Sequence, residues 1–345
     1  MSATSVIARV RRPLLLGLLA LMLAALGAAT WLYLDYQRFL RTPLALEEDG
    51  RILEITPGQH LSALAWQLHR DGILSQPRYL IVLGRLSGQA GRIQTGEFHI
   101  PAGATPAELL QVLTRGQVVQ YPVTLIAGWT FSDLRAHLAG LPFLEHSLEG
   151  VDAAGVMQRL ERPEQHPEGR FLPDTYHFPR GTTDLAVLRR ALRALEEKLA
   201  RAWEGRDQGL PLETPDEALI LASIVEKETG VPEERARIAG VFIRRLERGM
   251  RLQTDPTVIY GMGEAFDGNI RRRDLRTDTP YNTYTRGGLP PTPIALPSAE
   301  AIEAVMHPAA GDALYFVSRG DGSHVFSATL EEHNRAVRRY QLGGR

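Results

Sequence analysis

Residues 13–34 (PLLLGLLALMLAALGAATWLYL) run for 22 positions without a charge. At 1.5 Å per residue, such a helix spans the roughly 30 Å hydrocarbon core of a bilayer. Arg9, Arg11 and Arg12 precede the run, and Trp31, Tyr33 and Tyr36 stand at its far end. That is the pattern of an anchor with its N-terminus inside, although Arg38, Arg41 and Arg51 on the other side reduce the charge asymmetry. The pattern predicts a cytoplasmic tail over 1–12, a transmembrane anchor over 13–34 and a stalk over 35–50. A cleaved signal peptide is the alternative, but its apolar region is usually about 7–15 residues. On either reading, residues 35–345 lie outside the cytosol.

Beyond the stalk, three segments share one pattern: ITPGQHLSAL (55–64), IPAGATPAEL (100–109) and LIAGWTFSDL (125–134). Each has an apolar start, Gly at its fourth position and Leu at its tenth. Each predicts a short strand, a glycine turn and a helix start. Thr105 with Glu108, and Thr130 with Asp133, have capping-box spacing, and Pro106 suits the first helical position. Residues 184–204 place Leu188, Ala191, Leu192, Leu195, Leu199 and Trp203 at helical intervals, which predicts a long amphipathic packing helix.

The next helix is predicted over 215–229. Thr214, Pro215 and Glu217 mark its start, and Gly230 is read as its stop. It is apolar through Leu221, Ala222, Ile224 and Val225, then ends in Glu226, Lys227 and Glu228. Residues three, four and seven apart share a helix face. Counting back from Glu228 gives Val225, Ile224 and Leu221, so Glu228 continues the buried stripe. Glu226 counts back to Ser223, Ala222 and Leu219. Two residues turn the helix by about 200°, so the two carboxylates do not face each other. A carboxyl at the end of an apolar stripe is partly desolvated, and its pKa rises. Near neutral pH it could protonate a leaving oxygen. It could equally be a structural glutamate paired with Arg244 or Arg245, and the helix by itself leaves both open.

Two loop-like segments follow, 251–261 (RLQTDPTVIYG) and 280–298 (PYNTYTRGGLPPTPIALPS). They are dense in amide, hydroxyl, carboxylate and aromatic groups: Gln253, Thr254, Asp255, Tyr260, Tyr281, Asn282 and Tyr284. Such mixtures suit sugars, with prolines 290–297 stiffening one wall. Composition narrows the classes further. A net charge of −1 over 345 residues gives no support for nucleic-acid binding. With no cysteine there is no disulfide and no thiolate metal site. His307, His324 and His333 lack zinc-site spacing, so no metal and no cofactor is expected. RGDGS (319–323) lies between two strand-like runs and predicts a hairpin turn. Residues 329–340 open with Thr329 and Glu332 in capping-box spacing and predict a closing helix.

ITPGQHLSALAW (55–66) resembles the start of a LysM module, a small glycan-binding βααβ unit. Four further segments, LASIVEKETG (221–230), VFIRRLERGMRLQTDPTVIYGMGE (241–264), YNTYTRGGLPPTPIALPS (281–298) and ALYFVSRGDGSHVFSATLEEHN (313–334), resemble the MltG (YceG-like) family. The resemblance implies an α+β chain: the anchor, a LysM-like region over 51–120, and a mixed α/β catalytic domain over 121–345 with its catalytic Glu on a helix. It implies a single-pass protein of the inner membrane with a periplasmic catalytic part. The implied activity is endolytic cleavage of nascent peptidoglycan between N-acetylmuramic acid and N-acetylglucosamine, leaving a 1,6-anhydromuramyl end and terminating glycan elongation. The implied acid is the second glutamate of the EKE motif, Glu228. The expected substrate contacts are Gln253, Asp255, Tyr260, Asn282 and Tyr284. The expected partners are glycan strands, the membrane and peptidoglycan synthases. A two-carboxylate muramidase using Glu228 and Asp255 and a non-catalytic peptidoglycan-binding scaffold are the alternatives.

Overall fold

The computed structural model describes residues 3–343, with side chains from Leu16 onward. Met1 and Ser2 of the expected tail, and the side chains of Arg9, Arg11 and Arg12, lie outside the described residues. Helix α1 (Ala3–Arg41) runs unbroken through the expected tail and anchor and into the expected stalk. From Leu16 to Leu34 its apolar side chains are exposed, and by length and composition it can cross a membrane; a signal sequence meets the same criterion. The chain divides into two compact units, residues 1–120 and 121–345.

In the first unit the order is β1 (Arg51–Ile55), α2 (Leu61–Arg70), α3 (Pro77–Leu86), β2 (Gly96–Ile100) and α4 (Pro106–Arg115). Strands β1 and β2 pair antiparallel, with Leu53 opposite Phe98. Residues 35–50 are not a free stalk. Phe39 and Leu44 are buried in the core with Leu53, Leu64 and Phe98. Asp35 also accepts a hydrogen bond from the Tyr79 hydroxyl at 2.9 Å. Apolar side chains in the stalk sequence therefore tie the end of α1 into the unit.

The second unit contains β3 (Tyr121–Thr124), α5 (Phe131–Ala139), α6 (Ala153–Arg159), β4 (Thr175–Phe178) and α7 (Asp184–Glu204). It continues with α8 (Pro215–Glu228), α9 (Arg235–Glu247), α10 (Asp255–Met262) and α11 (Ala299–Met306), then β5 (Tyr315–Ser318), β6 (His324–Ser327) and α12 (Leu330–Tyr340). β3 pairs antiparallel with β4, and β5 with β6 across the 319–323 turn. The three strand–glycine–helix junctions share one geometry. Gly58, Gly103 and Gly128 have φ of 79°, 78° and 81°, a left-handed region costly for other residues. Thr105 and Thr130 each complete a capping box, as does Thr329.

Two apolar clusters fill this unit, and α7 serves both. Leu188, Ala191 and Leu192 pack with α5, α6, β3 and β4, while Leu195, Leu199 and Ala202 pack with α8, α9 and α11. Helix α8 is buried from Ala218 to Val225. It does not end at a left-handed glycine. Thr229 leaves it in extended conformation (φ −145°, ψ 136°), and Gly230 follows. Its start is half a capping box: Thr214 accepts from the Glu217 amide, but the Glu217 carboxylate turns to the Glu213 amide instead.

Helix α9 fits close to the 309 region because residue 240 has no side chain. A Cβ there would sit 2.5 Å from the Ala309 carbonyl oxygen, a backbone atom that cannot swing aside. Replacing an interior helical glycine by alanine gains up to about 1 kcal/mol of propensity. Overpacking costs about 1–3 kcal/mol. Gly240→Ala should therefore lower the guanidinium midpoint of the full chain in detergent. An unchanged or raised midpoint would mean that this close approach does not constrain the fold.

Candidate active site

At the C-terminus of α8 the carboxylates diverge, as the helix count requires. Glu226 turns toward the start of α11, where its Oε2 accepts from the Ser298 amide at 3.0 Å and from the Ser298 hydroxyl, with Arg235 at 3.9 Å. Lys227 is exposed and donates to the Gly128 carbonyl at 3.2 Å. Glu226 and Lys227 are thus bound into the scaffold. Glu228 instead opens on a cleft of about 470 Å³.

Glu228 is half-buried and makes no ion pair among the described residues. Its Oε1 accepts a hydrogen bond from the Thr254 hydroxyl. Neither Arg244 nor Arg245 closes on it. Arg244 donates to the carbonyls of Ala309 and Ala313. Arg245, buried, donates to those of Leu314 and Leu252 at 2.7 Å each. Burial pushes the Glu228 carboxyl up to about 7, and the charge of Asp255 adds to the rise. The Thr254 hydrogen bond opposes it first, and the electrostatic effect of Arg245 opposes it too. The negative end of the α8 dipole also disfavours an anion there.

The hydroxyl that meets Glu228 is fixed from behind. Thr254, Thr257 and Thr283 are buried together. The Thr254 amide donates to the Thr283 hydroxyl at 3.1 Å, and the Thr257 hydroxyl donates to the Thr254 carbonyl at 2.8 Å. Thr254 stands at the N-cap position of α10, but its hydroxyl goes to Glu228 and not to the helix, and Gln253 before it has φ 51°. A non-glycine residue adopts that conformation at a cost, typically where a functional turn requires it. Here the turn brings Thr254 against the end of α8.

Three of the expected contact residues line the cleft with Glu228: Gln253, Asp255 and Tyr284. The Tyr284 hydroxyl donates to Asp255 Oδ1 at 2.6 Å. Burial first, and that bond second, hold the Tyr284 phenol well above its ordinary range. Tyr260 and Asn282 lie elsewhere. The Tyr260 hydroxyl donates to Glu168 at 3.1 Å, and its ring packs edge-on against Tyr281. Glu168 is itself buried, which pushes its carboxyl up to about 7 against the hydrogen bonds it accepts from the Phe131 amide and Tyr260. Asn282 is buried and holds its own loop, donating to the carbonyls of Asp274 and Thr277 and accepting from the Tyr284 amide. The proline-rich wall is also displaced from the cleft. Ile294–Pro297 are buried, and the Ile294 amide donates to Ser223 on α8 at 3.0 Å. These misplacements have one cause: composition marks a segment as polar and aromatic but not which side it turns to the cleft.

The rest of the lining includes the C-terminal hairpin and α12, with Tyr315, Phe316, His324 and His333. Sequence reasoning considered the two histidines only as metal ligands. His324 opens β6 and His333 lies on α12, and their ring contacts with Phe316 and Tyr315 are tertiary, so no short-range signal marked either one.

The raised carboxyl has a stability consequence. A group whose folded pKa exceeds its unfolded value stabilises fully below the unfolded pKa, and that contribution is lost as pH rises through the folded pKa. For Glu228 the window runs from 4.5 to about 7. Wild type and Glu228→Gln should be about equally stable at the acid end. The variant should then become relatively more stable by roughly 1–3 kcal/mol near neutral pH. Paired denaturant titrations across that range measure it. A glutamate held by a hidden ion pair would reverse the sign.

Comparison with known proteins follows the same ground. Residues 53–339 match the model of the YceG-like family. A Bacillus subtilis protein named endolytic murein transglycosylase is 28% identical over 323 residues, covering 88% of this chain and 89% of its own. A Streptococcus pneumoniae protein of the same name is 34% identical over 206 residues, 58% of this chain and 35% of the relative. A crystal structure of a putative yceG-like protein from Listeria monocytogenes superposes with a TM-score of 0.52 at 25% identity, covering 84% of this chain and 99% of that one. The family match takes in both compact units and every residue of the cleft but Gln341. The chain belongs to the YceG-like family.

Proposed function

We propose that this chain is a membrane-anchored endolytic murein transglycosylase and that Glu228 is its general acid and base. The observation that carries the reading is one half-buried carboxyl, pushed up to about 7, on the wall of an open cleft lined with polar and aromatic side chains. At neutral pH such a group is present in both protonation states, and a lytic transglycosylase uses both. Protonated, Glu228 gives its proton to the glycosidic oxygen between N-acetylmuramic acid and N-acetylglucosamine as the C1–O bond breaks. The resulting carboxylate then removes the proton of the muramyl 6-hydroxyl, whose oxygen attacks C1. The nucleophile belongs to the sugar already bound, so proximity is built in. No water enters, and the product is a 1,6-anhydromuramyl end, which terminates elongation of that strand. The Thr254 hydroxyl orients the carboxyl for both transfers. Gln253, Asp255 and Tyr284 contact the glycan.

The names of the Bacillus and pneumococcal relatives support the substrate. Helix α1 would anchor the protein as a single pass in the inner membrane, with residues 51–345 periplasmic beside the peptidoglycan synthases. The β1–α2–α3–β2 order supports a LysM-like glycan-binding role for residues 51–120. A second reading rests on Asp255, which shares the cleft with Glu228 and raises its pKa. As a base activating water, Asp255 would make the protein a muramidase.

Full-length protein in detergent, incubated with peptidoglycan, should release muropeptides one water lighter than hydrolysis yields, by mass spectrometry. Glu228→Gln should lose at least ~100-fold in rate while staying folded. kcat/KM of the wild type should fall as pH rises through about 7, because the acid form is then depleted. Asp255→Asn should leave the product mass unchanged. Water-added products that vanish in Asp255→Asn would establish the muramidase instead.

A further inference from the structure

Glu228 shares the cleft with residues of the C-terminal hairpin and α12, a part of the lining that the reaction above does not use. That part rests on a pair of nearly buried ionisable side chains. His324, the first residue of β6, and Glu234, just before α9, have side chains only 11% and 10% exposed. Glu234 holds His324 at two points: Oε2 meets the ring Nδ1 at 2.7 Å, and Oε1 accepts from the His324 amide at 2.9 Å. Phe316 packs edge-on to the imidazole at 5.5 Å. The ring is therefore fixed in position and in rotation about its own axis.

Opposite a carboxylate, Nδ1 carries the proton. Nε2 is the ring atom left over. It has no hydrogen-bond partner among the described residues, and the ring lines the cleft. A structural histidine of this kind would have both nitrogens paired or its outer edge in open solvent. This one is clamped at Nδ1 and leaves Nε2 without a hydrogen-bond partner among the described residues, on a ring that lines the cleft.

We propose that His324 is a further substrate-contacting residue, whose Nε2 hydrogen-bonds a hydroxyl of the bound glycan, and that Glu234 is its positioning residue. This inference rests on the glycan-cleaving reading of the cleft. In the neutral ring Nε2 is an acceptor, the complement of a sugar hydroxyl. It holds the sugar at this part of the cleft while Glu228 works on the glycosidic oxygen. Glu234 never touches the glycan. It selects which ring nitrogen carries the proton and aims the other one.

The test uses full-length protein in detergent, with peptidoglycan cleavage as one readout. The other is calorimetric binding of an N-acetylglucosamine–N-acetylmuramic acid tetrasaccharide to protein carrying Glu228→Gln. His324→Ala should lower kcat/KM at least tenfold, the loss of about one substrate hydrogen bond, and weaken tetrasaccharide binding by a similar factor. Glu234→Gln keeps the size and the amide contact but can present an N–H to Nδ1, which moves the ring proton to Nε2 and turns the acceptor into a donor. It should lose activity to a comparable degree. The pair of substitutions should do no more harm than His324→Ala alone, because Glu234 acts only through the ring. A purely structural pair would instead lower the melting temperature and leave the binding constant of the folded fraction intact, which overturns the proposal. Cleavage and binding within threefold of wild type in folded His324→Ala also overturn it. If the Glu228→Gln protein binds the tetrasaccharide through His324 but the wild type cleaves nothing, the transglycosylase reading fails and the contact stands. If there is neither binding nor cleavage, both fail.

Discussion

The hydrogen bond from Thr254 to Glu228 joins the two parts of the site that the chain makes separately. Glu228 ends a helix buried from Ala218 to Val225, so its backbone position is set by packing. Thr254 stands 26 residues later, at the N-cap position of α10, and is held by Thr257 and Thr283. One hydroxyl between them keeps the carboxyl at the edge of the core. Without it, the side chain would be free to turn to solvent, where an ordinary glutamate is ionised at neutral pH. Desolvation and this single donor pull the pKa in opposite directions, and desolvation is the larger.

The same logic explains why Glu226 and Lys227 sit beside Glu228 without sharing its role. Each has a scaffold partner: Ser298 for Glu226 and the Gly128 carbonyl for Lys227. Ser298 caps α11, and Gly128 lies in the turn before α5. The charged end of α8 therefore fastens two neighbouring elements, and only the residue that continues its apolar stripe is left for the cleft. Ser223 adds a third tie, taking the Ile294 amide inside the core, so that the proline-rich segment supports α8 from beneath. Rigidity around the carboxyl comes from these local polar contacts as much as from apolar packing.

What could be read from sequence followed from periodicity and short-range capping. The divergence of Glu226 and Glu228, the long helix α7, the strand–glycine–helix junctions and the hairpin at 319–323 all depend on residues within a few positions of each other. Local geometry decides those, and local geometry is written in order along the chain. The loops were legible only in part. Gln253, Asp255 and Tyr284 reach the cleft, but Tyr260 and Asn282 spend their polar groups on Glu168 and on the carbonyls of Asp274 and Thr277. A polar aromatic loop looks the same from sequence whether its side chains serve a ligand or the loop itself. Likewise, residues 35–50 resemble a tether until Phe39 and Leu44 are seen in a core.

Sequence by itself thus determined the anchor-length helix, from an unbroken apolar run, and also the alternation of elements and which glutamate at the end of α8 continues its apolar stripe, which rest on a period of 3.6 or 2 along the chain. Only the tertiary structure decided what surrounds that glutamate. Thr254, Arg245, Glu234 and His324 are separated from it by between 6 and 96 positions, and no short-range pattern records which will arrive beside it. Their convergence depends on how α8, α9, α10 and the last hairpin pack around a shared core. That packing also sets how much water the carboxyl loses, and so whether Glu228 behaves as an acid at neutral pH.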